Sequence, residues 1–125
     1  MSGPNSIPDV PQIDVASAWE QARAGQSYIL DVREPEELDE IAVSGAIHIP
    51  LGSLADEAPT LPQDRDLLVI CRSGVRSAFA TQYLLDAGFI GAKNVSGGVI
   101  AWAEAQLPFE ANGQKYNVSA ANDEE

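Results

Sequence analysis

The chain has 125 residues, of which 45% are hydrophobic and only 6% aromatic, and this length suits one domain with a buried core. Its 19 acidic and 7 basic residues give a formal net charge of −12, which excludes a nucleic-acid backbone as partner because such a partner needs a basic face. No apolar run approaches the ~20 residues that span a bilayer, and the N-terminus lacks a secretory signal pattern. We therefore expect a cytoplasmic protein without membrane contact.

The N-terminal part of the chain predicts a leader, a helix and a strand. Residues 1–10 are rich in proline and polar residues, and we expect them to form a flexible leader. Asp14 can cap a helix whose apolar residues recur at helical spacing, and Gly25 suits its C-terminal end. The apolar run YIL at residues 28–30 is typical of a strand that is buried on both faces.

Strands and helices are expected to alternate along the remaining chain. Pro35 suits the first turn of a short helix, and further strands are predicted at residues 46–49, 67–70 and 93–95. Two later helices are predicted from their apolar residues, which are Ala80, Tyr83, Leu84 and Ala87 in the first and Ala101, Trp102 and Ala105 in the second. This alternation predicts an α/β domain at residues 11–109, with a mostly parallel sheet between helices, and an acidic polar tail at residues 110–125.

The single cysteine, Cys71, lies between a predicted strand and a predicted helix, in the sequence CRSGVR at residues 71–76. Open α/β sheets bind ligands at the carboxyl ends of their strands, and the N–H groups of such a loop can converge on an anion. Arg72 and Arg76 add local positive charge. These features lower the pKa of a thiol, so we interpret Cys71 as a nucleophile and not as a cysteine that only packs at a strand end.

The only histidine, His48, has no sequence relation to the loop that would make it a general base. We therefore favour a hydrogen-bonded structural histidine over a Cys–His pair. Sulfane sulfur is the better target for a thiolate without a neighbouring base. Its transfer needs an activated thiolate, a place for an anionic leaving group, and donors that stabilise a persulfide anion.

Four motifs in chain order carry a family resemblance: LDVRE at residues 30–34, GAIHIP at 45–50, CRSGVRS at 71–77 and GGVIAW at 97–102. Together they resemble the single-domain rhodaneses, a family of thiosulfate-type sulfurtransferases, over residues 13–107. The resemblance implies a three-layer α/β fold with a mostly parallel five-stranded sheet flanked by helices on both faces. It also implies ping-pong transfer of sulfur from thiosulfate or another persulfide donor to cyanide or a thiol acceptor, without a metal or an organic cofactor.

The resemblance also implies a role for each matching residue. Cys71 becomes the catalytic persulfide carrier, and the expected donor-binding residues are Arg72, Ser73, Gly74, Val75 and Arg76. The residues expected to support the site from behind are Asp31, Arg33, Ser77, Gly97 and Gly98. Of these, the two adjacent glycines are expected to form a tight turn close to the loop, while Trp102 is expected to pack in the core.

One segment departs from the family pattern. The family usually carries a Gly-His pair shortly before its Gly-Ala segment, whereas this chain has DEIAVS at residues 39–44. The departure concerns the shape of the pocket rim around Ile41 and Ala42. The acidic residues 34–40 are interpreted as a solvated face, with docking of a basic protein acceptor as the alternative.

Two other functions remain open at the level of sequence. Phosphatases and arsenate reductases of a related fold use a Cys-to-Arg loop with five intervening residues, but four residues separate Cys71 from Arg76 here. The narrower loop favours a single sulfur over a phosphoryl group. A noncatalytic interaction module is the second alternative, and it is less favoured because the cysteine and both loop arginines are present.

Overall fold

The computed structural model describes residues 6–111 and 114–116. The strands are β1 Gln12–Ile13, β2 Ser27–Asp31, β3 Ala42–Val43, β4 Ile47–His48, β5 Asp66–Ile70, β6 Lys93–Val95, β7 Phe109–Ala111 and β8 Gln114–Tyr116. The α-helices are α1 Val15–Arg23, α2 Pro35–Glu40, α3 Leu54–Glu57, α4 Val75–Asp86 and α5 Gly98–Glu104. Short 3₁₀ turns flank α3 at Leu51–Ser53 and Ala58–Thr60. None of the described helices is long and apolar enough to cross a membrane.

Five strands form one parallel sheet in the order β1-β6-β5-β2-β4, which confirms the predicted fold class. The central strand β5 is buried on both faces because its side chains alternate between two apolar clusters. Leu67 and Val69 pack in one cluster with residues of α3 and α4. Leu68 and Ile70 pack in the other with residues of α1 and α5. The sheet therefore lies between two helical layers.

Local signals placed most of the predicted elements correctly. Asp14 caps α1, since its side chain accepts a hydrogen bond of 2.7 Å from the Ser17 N–H. Pro35 begins α2 as predicted. The strand predicted at residues 46–49 is shorter than expected and spans only Ile47–His48. Trp102 is fully buried, which confirms its predicted core position.

Of the four residues predicted to form the buried apolar face of α4, two are exposed. Ala80 and Leu84 are buried as expected, but Tyr83 is 40% exposed and Ala87 follows the end of the helix in an exposed position. The helix instead buries two polar residues, Ser77 and Thr81. Ser77, in the first turn of this face, lies at the carboxyl end of the sheet.

Strand pairing reaches both ends of the predicted domain. Val10, in the expected leader, is buried, whereas residues 1–5 lie outside the described residues. β7 pairs antiparallel with both β3 and β8 in a small second sheet that the sequence analysis did not predict. Part of the expected tail therefore lies in strands, and residues 112–113 and 117–125 lie outside the described ones. The division of the chain at residues 10 and 109 stays a prediction.

Candidate active site

The strand register brings three loops to one edge of the parallel sheet. Asp31, the last residue of β2, pairs with Ile70, the last residue of β5. β6 pairs with β5 on its other side and ends at Val95. Because parallel strands all end at the same edge, Cys71 lies between the loop that follows β2 and the loop that follows β6. This is the edge at which the sequence analysis placed the site.

The loop that begins at Cys71 is fastened to the N-terminus of α5. The N–H groups of Val99 and Ile100 donate to the carbonyl oxygens of Cys71 and Arg72 at 2.9 and 3.1 Å. This approach requires glycine at position 98, where φ is +59° and a Cβ would overlap both of those carbonyl groups. The carbonyl groups of Cys71 and Arg72 therefore point away from the loop interior and toward α5. The N–H groups later in the loop can then face the Cys71 sulfur.

Three donors converge on the Cys71 sulfur. The N–H groups of Gly74 and Ser77 lie 3.2 and 3.3 Å from Sγ, and the Ser77 hydroxyl lies 3.2 Å away. Gly74 caps α4 with φ of +104°, a conformation that turns its N–H back toward the loop interior. Cys71 itself is only 1% exposed and has no disulfide partner. The site therefore surrounds one sulfur atom with hydrogen-bond donors at a helix N-terminus.

These donors decide the protonation of Cys71. Burial alone raises the pKa of a thiol, but the Ser77 hydroxyl and the backbone N–H groups of Ser77, Gly74 and Ser73 oppose burial by favouring the anion. Their combined effect prevails, and the pKa of Cys71 lies below its ordinary value. The arrangement can therefore stabilise a thiolate without a neighbouring histidine.

The two loop arginines are in different situations. Arg72 is exposed, and its side chain makes no hydrogen bond or ion pair within the described part of the chain. The guanidinium of Arg76 forms a double hydrogen bond with the Glu37 carboxylate, at 2.8 and 2.9 Å. This pairing lowers the pKa of Glu37 to about 2, so the carboxylate stays charged at any ordinary pH. Sequence analysis did not anticipate Glu37 as the partner of Arg76.

Asp31 and Arg33 form a buried ion pair beside the loop. Their side chains are 1% and 3% exposed, and Arg33 donates to both carboxylate oxygens, with the shortest bond at 2.8 Å. The same guanidinium donates to the carbonyl oxygens of Glu37 and Ile41. Arg33 thus ties the end of α2, including the segment that departs from the family pattern, to the end of β2. Its own carbonyl lies 2.7 Å from Nε2 of His48, consistent with a structural histidine.

Sequence reasoning missed Asn94, a buried residue of β6 that contacts two of the residues around the sulfur. Its Nδ2 donates to the Gly74 carbonyl at 3.1 Å, and its Oδ1 accepts a short hydrogen bond from the Ser77 hydroxyl. A signal was available, since asparagine is depleted in strands and a buried amide must find partners.

Comparison with known proteins agrees with this fold. The Rhodanese-like domain family matches residues 14–105. Over 101 residues the chain is 38% identical to the protein YtwF of Bacillus subtilis (strain 168), covering 80% of this chain and 97% of YtwF. It is 33% identical over 100 residues to the thiosulfate sulfurtransferase GlpE of Vibrio cholerae serotype O1, covering 80% of this chain and 94% of GlpE.

A solved structure gives the same result. The crystal structure of a rhodanese-related protein from Thermoplasma volcanium superposes with a TM-score of 0.75 at 33% identity, over 80% of this chain and 97% of that one. The family match spans β2, β5, α4 and the loop that carries Cys71. On the evidence of this match, its relatives and the shared fold, the chain belongs to the rhodanese-like domain family.

Proposed function

We propose that this chain is a sulfurtransferase in which Cys71 carries a sulfane sulfur as a persulfide. The observation that carries the proposal is the convergence of three hydrogen-bond donors on the Cys71 sulfur at the carboxyl end of the central strand. Membership of the rhodanese-like family and similarity to a relative named thiosulfate sulfurtransferase support sulfur transfer as the general chemistry. Thiosulfate or another persulfide is the proposed donor, and cyanide or a thiol is the proposed acceptor.

The proposed reaction has two displacement steps at sulfur. In the first, the Cys71 thiolate attacks the outer sulfur of thiosulfate, a sulfur–sulfur bond forms to Sγ, and sulfite leaves with the electron pair of the broken bond. The enzyme then holds a persulfide whose negative charge lies on the outer sulfur. In the second step the acceptor attacks that sulfur, and Cys71 leaves as the thiolate. Cyanide as acceptor gives thiocyanate, and the enzyme returns to its starting state.

The loop supplies what both steps require. The thiolate is the attacking group in the first step and the leaving group in the second, so donors that stabilise it favour both. The remaining N–H groups of the loop, from Arg72 to Arg76, are the proposed cradle for the outer sulfur. We assign the exposed Arg72 to the anionic end of the donor. The guanidinium of Arg76 is already paired with Glu37, so its contribution to donor binding is smaller than the sequence suggested.

The intact mass of the reduced protein tests the proposal directly. Incubation with thiosulfate should add the mass of one sulfur atom, and later addition of cyanide should remove it. Protein whose cysteine has first been blocked with iodoacetamide is the control and should gain nothing. If the unblocked protein gains no sulfur and Cys71 also fails to react with iodoacetamide, the carrier role is wrong and the binding-module alternative takes its place.

Arg72 provides a second test because it lies at the exposed entrance to the loop. We expect Arg72→Ala to lower kcat/KM for thiosulfate, since a charge-assisted contact to the donor is lost. The decrease should correspond to a loss of about 1 to 3 kcal/mol of transition-state stabilisation. Arg23→Ala is the matched control because it removes an exposed arginine of α1 that pairs with Glu20. Equal kcat/KM values for the two variants and the wild type would reject the role of Arg72.

The acceptor is a further part of the proposal. Helix α2 presents exposed acidic residues, Glu36, Asp39 and Glu40, and it is tied to the active-site loop through Glu37 and Arg76. A thiol-bearing protein with a basic surface would be attracted to this side of the site. The proposed location is the cytoplasm, where a reducing environment keeps the single thiol available.

A further inference from the structure

Asn94 has a fixed orientation between the sheet and the active-site loop. Asn94 is only 3% exposed, and it lies on β6, which neighbours the strand β5 that leads to Cys71. The Gly74 carbonyl can only accept a hydrogen bond, so the nitrogen of the Asn94 amide must face it, and this nitrogen also donates to Oε1 of Gln12 at 3.0 Å. The amide oxygen then faces the Ser77 hydroxyl.

The Ser77 hydroxyl has one proton but two neighbours that could accept it. One is the Cys71 sulfur at 3.2 Å, and the other is Oδ1 of Asn94. Oδ1 has no proton of its own to give. When Cys71 is a thiol, Ser77 can donate to Asn94 and accept from the S–H group. When Cys71 is a thiolate, the sulfur needs the proton of Ser77, and the hydroxyl must turn away from Asn94.

We propose that Asn94 is a positioning residue that sets the donors around the Cys71 sulfur in each state of the reaction. Its nitrogen holds the Gly74 carbonyl and thereby keeps the Gly74 N–H aimed at Sγ. Its oxygen holds the Ser77 hydroxyl whenever Sγ is uncharged, and releases it when the thiolate forms. The inference rests on the proposed function, because it assigns Asn94 a role in the same sulfur chemistry.

In the two displacement steps, the Ser77 hydroxyl changes its acceptor as the negative charge moves between Sγ and the outer sulfur. Once Cys71 has taken up a sulfur, the negative charge moves to the outer sulfur and Sγ no longer needs the Ser77 proton. The hydroxyl then returns to Asn94 Oδ1, which is fixed in place for it. When the acceptor removes the outer sulfur, the thiolate forms again and the hydroxyl turns back. The hydroxyl rotates, and no heavy atom needs to move.

Other charged groups around the sulfur stay the same when Asn94 is changed. Arg76 lies on α4 and is paired with Glu37 of α2, and the Asp31–Arg33 pair lies at the end of β2. None of these four residues hydrogen-bonds to the Asn94 side chain. A change in Cys71 protonation in an uncharged Asn94 variant therefore reports on the Gly74 and Ser77 donors.

The rate of Cys71 alkylation by iodoacetamide, measured from acidic to alkaline pH, tests this role without any sulfur donor. Asn94→Ala has two opposing effects, since it frees the Ser77 hydroxyl from a competing acceptor but also removes the hydrogen bond that keeps the Gly74 N–H aimed at Sγ. We expect the loss at Gly74 to prevail and to raise the midpoint of the pH profile by about one pH unit, because hydrogen bonds to a charged group are strong enough for such a shift. At high pH, where every molecule is a thiolate, the variant should react at least as fast as the wild type, because a thiolate of higher pKa is the better nucleophile. Asn94→Asp should show a larger upward shift of the midpoint, because a carboxylate holds the Ser77 proton more strongly, repels the Gly74 carbonyl and disfavours the nearby thiolate by its own charge.

The control is Ser27→Ala. This change removes a buried hydroxyl on β2 of the same sheet, which donates a hydrogen bond to Gln21. It should leave the alkylation profile at the wild-type midpoint. Asn94 variants that lose thermal stability but keep the wild-type midpoint would have a purely structural defect, and that result would overturn the proposal. If Asn94→Ala does not fold, Asn94→Ser, which also lacks the amide but keeps a small polar group, gives the same readout without adding a charge. Failure of thiosulfate to load the protein would refute the proposed function while leaving this measurement intact.

Discussion

The Cys71→Ser variant is expected to lose sulfur transfer by at least about a thousandfold while it keeps its fold. The change replaces one atom by a smaller one that can accept the same hydrogen bonds from Gly74 and Ser77. A serine hydroxyl, however, remains protonated near neutral pH and is a poor nucleophile toward sulfane sulfur. The only histidine, His48, is not among the groups that hydrogen-bond to the sulfur of Cys71, and its Nε2 lies 2.7 Å from the Arg33 carbonyl oxygen.

Two measurements check this expectation. Thiocyanate formation from thiosulfate and cyanide should be at background for Cys71→Ser, and its thermal unfolding should match that of the wild type. Substantial turnover by the variant would show that sulfur transfer does not pass through Cys71. A variant that fails to fold would be replaced by Cys71→Ala, which also lacks the nucleophile and fits the same space.

The site can be predicted from sequence where it depends on neighbouring residues. The apolar run at residues 67–70, the cysteine after it and the glycine at position 74 are consecutive, so strand, loop and helix start follow one another in a readable order. The sequence also indicated that the glycines at 97 and 98 approach the loop. Helix α1 is similarly local, because Asp14 and Gly25 mark its ends.

Other features depend on residues that lie far apart in the chain. Glu37 meets Arg76 only because α2 and the first turn of α4 lie over the same edge of the sheet, and no local pattern encodes that position. Asn94 reaches Ser77 through the parallel register of β5 and β6. The small sheet formed by β3, β7 and β8 was missed for the same reason. Sequence patterns describe elements well, but contacts between elements follow from topology.

The same limit explains the error in α4. An apolar stripe at helical spacing is assumed to face the core, and on that basis Tyr83 and Ala87 were assigned to the buried face. The structure buries a different face, on which Ser77 in the first turn reaches the Cys71 sulfur. Thr81, one turn later on the same face, is then buried as well, and its hydroxyl donates to the Ser77 carbonyl at 2.7 Å. The buried face of α4 thus combines the apolar Ala80 and Leu84 with the polar Ser77 and Thr81.

Removal of Arg33 is expected to have the largest effect on stability. Arg33 is the only ion-pair partner of the buried Asp31 among the described residues, and it also binds two carbonyl groups at the end of α2. Replacing one member of a buried ion pair leaves the other charge without compensation, which typically costs about 3–5 kcal/mol. We therefore expect Arg33→Met to lower the free energy of unfolding by that amount. Sulfur transfer should also fall, because α2 holds Glu37 against Arg76.

Urea unfolding of matched variants separates this effect from simple loss of an arginine. Arg23→Met breaks an exposed pair with Glu20, whose side chains are 54% and 63% exposed, and should change stability by less than about 1 kcal/mol. The double variant Asp31→Asn with Arg33→Met removes both charges, and it should regain much of the stability lost by Arg33→Met alone because no buried charge is left unpaired. If Arg33→Met is as stable as Arg23→Met, the Asp31–Arg33 pair does not support the fold. If the double variant is no more stable than Arg33→Met, the loss comes from the freed carbonyl groups of α2 and not from the uncompensated carboxylate.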